Sequence, residues 1–426
     1  MARPTGTIRS VKGTRDLLPP ESDLWQKIEE ASRGVFSAYR FQEIRTPVIE
    51  QTDLFARSVG ADTDIVSKEM YTFEDRDHES LTLRPEATAG VVRACIEHGL
   101  FNEAGLHKFY YMGPMFRRER PQKGRYRQFY QIGAEALGSD HPLVDVETLE
   151  MLLLLLERLN LRDTVLLVNS VGCASCRAEY VKLLRRELEP IKDQMCADCQ
   201  RRTVTNPLRV LDCKVESDQP AIARLPSILD HLCPACRQHF DCVTAELTRR
   251  RIAYAITPRL VRGLDYYTRT TFEITSTRLG AQNSLLGGGR YDGLSEILGG
   301  PPAPGFGFAI GEDRLALAVA ESEAQEESRL ASYIAWMGEQ AINPAQDLAR
   351  ALRREGLSTE VSFEAAKLKK MLGHANRHRA SFAIIIGEGE LATGRYQLKN
   401  METGEQREIE PALIPAFIKE QLGKSH

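Results

Sequence analysis

The sequence predicts an α+β fold: a mostly antiparallel sheet flanked by helices, interrupted by a helical insertion and followed by a small α/β domain. Three observations carry that prediction. Strand-like stretches cluster before residue 170 and resume after residue 245. The stretch between them, 170–245, is rich in cysteine, arginine and leucine and reads as helical. From 326 to 426, strand-like and helix-like segments alternate, which marks a separate α/β unit. The expected layout is therefore 1–169 and 246–325 as two parts of one domain, 170–245 as an insertion in it, and 326–426 as a second domain.

The first part opens with a helix over Leu24–Tyr39, whose residues Trp25, Ile28, Val35 and Phe36 share one face. Ile44–Ile49 reads as a strand broken by Pro47, which removes a ladder donor and so predicts an edge or interface position. Lys68–Phe73 and Leu81–Leu83 read as paired strands around a polar turn, and Pro85–Gly99 as a helix. Lys108–Met112 and Gln128–Ile132 read as strands joined by a long charged loop.

In the insertion, Arg177–Leu188 and Pro226–Leu232 are the expected helices. Strands resume at Arg251–Ile256, Thr270–Thr275 and Gly305–Ile310. Glu321–Ser328 is the expected linker. Beyond it, strands are expected at Ser332–Met337, Ser358–Ser362, Phe382–Ile386 and Tyr396–Lys399. Helices are expected at Pro344–Glu355, Lys367–His378 and Pro411–Leu422.

Composition narrows the function. With 42% apolar and 27% charged residues, the chain can bury a full core. A net charge of -3 argues against a uniformly basic nucleic-acid binder, though not against a local basic patch. No apolar stretch follows the N-terminal charge, so no signal peptide is expected. The longest apolar run, Met151–Leu156, is far too short to span a membrane and fits a buried helix. A cytoplasmic location without membrane contact is the expectation. Nine cysteines include three C-x-x-C pairs, Cys173/Cys176, Cys196/Cys199 and Cys233/Cys236. In a reducing compartment these are a structural zinc site or buried thiols rather than disulfides. Two pairs can complete one tetrahedral site, with Cys196/Cys199 and Cys233/Cys236 the pairs first considered. The expected functional site includes no metal ligand.

The loop Gly113–Phe129 carries Arg117, Arg118, Arg120, Lys123, Arg125 and Arg127 against one acid, Glu119. Guanidinium groups bind phosphate oxygens in pairs, so such a loop can clamp a polyphosphate; alone, it could equally be a solvated hairpin. In Leu81–Ala89, the carboxylate of Glu86 and the hydroxyl of Thr88 near a strand-to-helix turn suit an ammonium group, or else cap the helix. Gln131 and Glu135 lie an even number of residues apart and share one face of their strand. A carboxylate there can accept an imidazole N–H, unless it is simply a surface residue. Gly287–Gly289 permit close backbone approach to a ligand.

These segments together resemble the class II aminoacyl-tRNA synthetases, and the histidyl-tRNA synthetases in particular. Phe116-Arg-Arg-Glu-Arg120 resembles motif 2, and Gly305–Arg314 resembles motif 3. The first helix and the Pro47 segment resemble motif 1. Arg262-Gly-Leu-Asp-Tyr-Tyr267 and the residues following to Glu273 match a stretch characteristic of the histidyl family. Gly287–Gly293 resembles the floor of its histidine pocket, including Tyr291 and Asp292. Ala87 stands where that family usually has glycine. The resemblance runs from Lys12-Gly-Thr-Arg-Asp16 to the final domain, which looks like an anticodon-binding domain.

The resemblance implies a class II catalytic domain and ATP-dependent charging of tRNA(His) with L-histidine, with Mg²⁺ on the ATP phosphates and a homodimeric chain. It assigns Arg117 to the α-phosphate, Arg314 to the adenine ring, Glu119 to the adenine amino group and Arg125 to the distal phosphates or the tRNA end. It implies that Glu86, Thr88 and Gln131 hold the amino group of histidine. Glu135 and Tyr267 would hold the imidazole, and Tyr266 would line the pocket. Arg262 would act with Arg117 on the developing phosphate charge. The rival from another class is an inactive histidine-binding paralogue that regulates an ATP phosphoribosyltransferase. Such a protein would lack the final domain and have eroded motifs.

Overall fold

A computed structural model describes residues 8–60, 63, 65–103, 105–120, 122, 124–277, 283–321, 329–364 and 366–423. Lys123 of the basic loop and 322–328 of the expected linker lie outside them. The chain forms two compact units, Met1–Gln325 and Glu326–His426.

The first unit is organised by an eight-stranded sheet. Its strands are β1 (Gln42–Glu43), β5 (His107–Phe116), β6 (Gln128–Leu137), β7 (Thr164–Ser170), β8 (Tyr254–Ile256), β9 (Thr268–Ser276), β10 (Ser284–Arg290) and β11 (Gly305–Gly311). They lie in the order β1-β5-β6-β11-β10-β9-β7-β8. Only the two edge pairings, β1 with β5 and β7 with β8, are parallel. A second small sheet places β4 (Ser80–Leu83) between β2 (Ile49–Gln51) and β3 (Tyr71–Glu74).

Helices cover one face of the large sheet: α1 (Glu21–Ala38), α4 (Pro142–Arg158), α8 (Pro234–Arg249) and α10 (Glu312–Ala320). Trp25, Ile28, Val35 and Phe36 of α1 are all buried, at the helical spacing seen in the sequence. They share a core with Leu149, Leu152, Phe240, Val243 and Leu315 and with Ile132, Phe272, Phe306 and Phe308 of the sheet. Strand periodicity then dictates the opposite face. Ile132, Ala134 and Ala136 of β6 enter the helix-covered core, so Gln131, Gly133 and Glu135 point the other way. That second face packs on α3 (Thr88–Glu97) and α9 (Leu294–Ile297) only in part, with α2 (Thr52–Val59) behind those helices. It also holds the candidate site.

The insertion carries α5 (Ala174–Leu188), α6 (Ala197–Thr205), α7 (Gln219–Ile222) and, at its end, α8. Tyr180, Leu184, Leu188, Val210 and Ile228 give it a small core of its own. The second unit has the sheet order β13-β12-β14-β15-β16, with β12 (Ser332–Trp336) parallel to both β13 (Thr359–Val361) and β14 (Phe382–Ile386). β15 (Tyr396–Asn400) and β16 (Gln406–Ile409) continue it antiparallel. α11 (Ile342–Arg354), α12 (Leu368–Arg377), α13 (Glu388–Thr393) and α14 (Ile414–Gly423) complete the unit.

Four expectations need correction. Ile44–Ile49 is not one strand: the chain leaves β1 at Glu43 and re-enters a different sheet at Ile49, with Pro47 in the gap. The strand expected from Lys68 begins at Tyr71, because Ile65–Glu69 closes a π-helical turn. The helix expected from Pro85 starts at Thr88, and Pro226–Leu232 yields only a 3₁₀ turn over Ile228–His231. Strand β7, absent from the sequence reading, buries Leu166 and Val168 in the helix-covered core while Val165 is exposed, so apolar residues on both faces of the strand hide its alternation. No helix among the described residues is long and apolar enough to cross a membrane.

Candidate active site

A cavity of about 190 Å³ opens on the uncovered side of the large sheet. Ten residues expected from the sequence line it: Glu86, Thr88, Arg117, Gln131, Glu135, Arg262, Tyr266, Tyr267, Gly287 and Tyr291. Glu119, Arg125 and Arg314 do not line it.

The floor is built around Glu135 of β6, which is fully buried. Thr88 donates its hydroxyl to Oε1 at 2.7 Å, and Tyr111 donates to the same oxygen at 3.3 Å. Tyr291 donates to Oε2. Burial outweighs these three donors and pushes the carboxyl up to about 8, with the nearby Glu86 adding to the rise. Gly307 faces Glu135 across the β6–β11 ladder. A Cβ at Gly307 would lie 1.7 Å from Glu135 Oε2, so glycine there is what admits the carboxylate. Tyr291 was expected in the pocket floor, but neither its bond to Glu135 nor that of Tyr111 was read from the sequence. The parity of Tyr111 along β5 could have placed it on this face.

The start of α3 supplies the adjacent wall. Glu86 accepts the backbone N–H groups of Thr88 at 2.7 Å and Ala89 at 3.0 Å, so it caps the helix while facing the cavity. Burial raises its carboxyl above the ordinary range. One side chain thus both caps the helix and lines the cavity. Tyr266 and Tyr267 precede β9 with ring centroids 4.8 Å apart, and burial pushes both phenols up.

Arginines form the rim. Arg117 donates from Nε to the carbonyl of Pro85 at 2.8 Å and lies over the Phe129 ring at 5.3 Å. Arg262 pairs with Glu273 of β9 at 2.8 Å. Its guanidinium fills the space above Gly287, where a Cβ would come within 2.4 Å of Cζ. Gly287 therefore makes room for Arg262 and also lines the cavity. Arg125 sits 3.4 Å from Glu119, and the charge of Arg314 is opposed by burial and by Arg125. A second basic group thus lies beside the cavity rather than in it. At the root of α10, Asp313 binds Arg15 at 2.9 Å and the backbone N–H of Tyr130 at 3.2 Å. This ties the N-terminal segment to the loop strands, a link the sequence did not reveal.

The Histidyl-tRNA synthetase model matches residues 13–315, and the Anticodon binding domain model matches 332–421. The chain belongs to the histidyl-tRNA synthetase family. It is 58% identical over 403 residues to the histidine--tRNA ligase of Solibacter usitatus, covering 94% of this chain and 96% of the relative. Against the histidine--tRNA ligase of Koribacter versatilis it is 52% identical over 423 residues, covering 97% and 96%. The crystal structure of the apo histidyl-tRNA synthetase of S. aureus superposes with a TM-score of 0.82 at 39% identity, covering 97% of this chain and all of that one. The catalytic unit of this histidyl-tRNA synthetase family member accordingly has the class II α+β fold.

The cysteines of the insertion pair differently from the sequence expectation. Cys233/Cys236 meets Cys173/Cys176, while Cys196/Cys199 meets Cys213 and Asp218. Cys196/Cys199 is thus not the partner of Cys233/Cys236. The reason is that α5 and α8 start side by side, whereas α6 starts against the Cys213–Asp218 turn.

Proposed function

We propose that this chain ligates L-histidine to tRNA(His) in two steps, forming histidyl-adenylate from histidine and ATP and then passing histidine to the terminal adenosine of the tRNA. The observation that carries the reading is the polarity of one small cavity. A hydroxyl-bound carboxylate, Glu135, lies at its floor, and two guanidinium groups, Arg117 and Arg262, stand on its walls. A molecule with an imidazole at one end and a carboxylate at the other fits that polarity.

In this reading Glu135 and Tyr267 take the imidazole, with Tyr266 as a wall. Glu86, Thr88 and Gln131 take the amino group. Thr88 already donates to Glu135, so its share is to offer its remaining lone pair while fixing the imidazole acceptor. Arg117 and Arg262 converge on the α-phosphate, where fixed positive charge stabilises the charge developing during adenylate formation. Arg314 stacks on adenine, Glu119 takes its amino group, and Arg125 meets the distal phosphates or the tRNA end. Holding both reactants in line supplies further acceleration. Mg²⁺ would accompany the distal phosphates and neutralise charge there, with Glu273, beside Arg262, the carboxylate that could hold it. The chain would act in the cytoplasm as a homodimer.

Histidine-dependent exchange of pyrophosphate into ATP tests the reading. Exchange with histidine alone among the amino acids supports it. A folded chain that binds histidine and gives no exchange is instead a regulatory paralogue. The match of 332–421 to the Anticodon binding domain speaks against that alternative, as do Arg117, Glu135, Arg262 and Arg314 all being in place.

A further inference from the structure

All three C-x-x-C pairs have the same local architecture. Cys173, Cys196 and Cys233 are the N-cap residues of α5, α6 and α8, and Cys176, Cys199 and Cys236 fall in the first turn of the same helices. A helix start brings both sulfurs of a pair to one side and favours the thiolate through its exposed N–H groups and its dipole. The chain then brings the pairs into two separate clusters. In each, four candidate ligand atoms lie within 4.8 Å of one another: Cys173, Cys176, Cys233 and Cys236 in one, and Cys196, Cys199, Cys213 and Asp218 in the other.

The spacings suit a tetrahedral metal. Zinc–sulfur bonds of about 2.3 Å require sulfurs about 3.8 Å apart. Cys173 and Cys176 lie 3.6 Å apart, and Cys196 and Cys213 lie 3.9 Å apart. Such distances are far beyond a disulfide bond of about 2.05 Å. The ligands are also oriented from behind. The backbone N–H of Cys233 donates to Cys176 Sγ at 3.1 Å, and that of Val215 to Cys213 Sγ at 3.4 Å. Asp218, 1% exposed, accepts the N–H of Cys196 with both oxygens, and Oδ2 stands 3.5 Å from Cys213 Sγ. A buried carboxylate among three thiols has no purpose in apolar packing, but it completes a cation's coordination shell.

We infer that the insertion holds two structural zinc ions, one on Cys173, Cys176, Cys233 and Cys236 and one on Cys196, Cys199, Cys213 and Asp218. Four protein ligands in each leave no open position, which marks structural rather than catalytic sites. Their reach extends to the cavity. Arg177, next to Cys176, donates to the carbonyls of Tyr267 at 2.6 Å and Asp265 at 3.3 Å. Beyond the end of α6, Asn206 donates to Asp265 at 3.2 Å and Arg209 to the carbonyl of Arg262 at 3.3 Å. Each metal thus anchors an element that grips the Arg262–Tyr267 segment, and both act as positioning sites for it.

The decisive measurement is metal content of the full chain, purified without an affinity metal and desalted under reducing conditions. Mass spectrometry of the eluted metal should find about two zinc ions per chain. The pair Cys173→Ser with Cys236→Ser, and separately Cys199→Ser with Asp218→Asn, should each leave about one. Should either variant fail to fold, the unaltered chain produced with cobalt in place of zinc decides. It should show sulfur-to-cobalt charge transfer and intense visible bands of tetrahedral Co²⁺. About one ion per chain overturns the mixed site and keeps the four-cysteine site. A metal-free, folded chain without those cobalt bands overturns both, as do disulfides within the clusters. None of these readouts depends on aminoacylation. For the positioning role, removing the metal should speed amide exchange across Arg262–Tyr267; unchanged exchange there overturns that role.

Discussion

The hydroxyl of Thr88 donates to the carboxylate of Glu135 at 2.7 Å, joining the first turn of α3 to the centre of the large sheet. Both groups are buried, so the bond has no competition from water. Thr88→Val keeps the shape and removes the donor. Loss of a partner for a buried acceptor costs about 1–3 kcal/mol. Because that acceptor is proposed to receive the imidazole, the KM for histidine should rise about tenfold with kcat changed less. A fall in thermal stability with unchanged histidine KM would show that the bond serves only the helix start.

Glu135 also predicts a pH dependence. Its carboxyl is pushed up to about 8 when folded, against an ordinary value near 4.5. Between these values the folded chain holds a proton that the unfolded chain has released. The group's contribution to stability is therefore complete below the ordinary value and is lost as pH rises through about 8. The slope in that window is about 1.4 kcal/mol per pH unit. Glu135→Gln carries no such proton. Denaturant titrations from pH 6 to 8 should show the unliganded native chain losing stability relative to the variant. Parallel curves would mean that Glu135 is ionised throughout.

How much of this was legible in the sequence differs by the kind of signal. Period-two alternation alone places Gln131 and Glu135 on one face, and helical spacing places Trp25, Ile28, Val35 and Phe36 in one core. The resemblance named the arginines. What stayed hidden depends on long-range register. Gly307 opposite Glu135, Arg262 over Gly287 and Tyr291 bonded to Glu135 each join residues far apart in the chain. Cysteine spacing showed three pairs but not which helices begin side by side. It therefore could not supply Cys213 and Asp218, which no C-x-x-C pattern marks.

Arg262 and Gly287 should behave as one unit. Gly287→Ala would place a methyl 2.4 Å from the Arg262 guanidinium, the far end of a flexible side chain, which can swing aside. The fold should hold, and the melting temperature should change little. The displaced charge would no longer reach the α-phosphate position proposed for it, and misplaced electrostatic groups cost about 100-fold in rate. Arg262→His should lower adenylate formation by a similar factor while histidine binding is largely kept. Pyrophosphate exchange beside equilibrium histidine binding separates these terms. If binding falls as far as exchange in either variant, Arg262 is part of the histidine pocket and not of the phosphate site.

Asp145 predicts the largest loss of stability. It binds the buried Arg290 through Nε at 3.1 Å and Nη2 at 2.5 Å, and its other oxygen lies 2.9 Å from His239 Nε2. Burial opposes the charge on Asp145, but Arg290 and His239 together hold its carboxyl below the usual range. The three residues come from α4, α8 and β10, so one network locks the insertion's last helix to the sheet. Asp145→Ala leaves a guanidinium with no exposed surface lacking its main counter-ion, since Asp292 at 2.9 Å remains as the second. Breaking a buried pair from one side costs about 3–5 kcal/mol. Arg290 also precedes Tyr291, which donates to Glu135. The variant should therefore weaken histidine binding as well as unfold at lower denaturant. Replacing both partners, Asp145→Leu with Arg290→Met, should recover part of the stability, because the fully buried carboxylate and guanidinium leave together. Asp292 loses Arg290 in that variant but keeps Arg269 at 3.7 Å. Histidine affinity should not recover if Arg290 sets the position of Tyr291; recovery of both would reduce the network to packing.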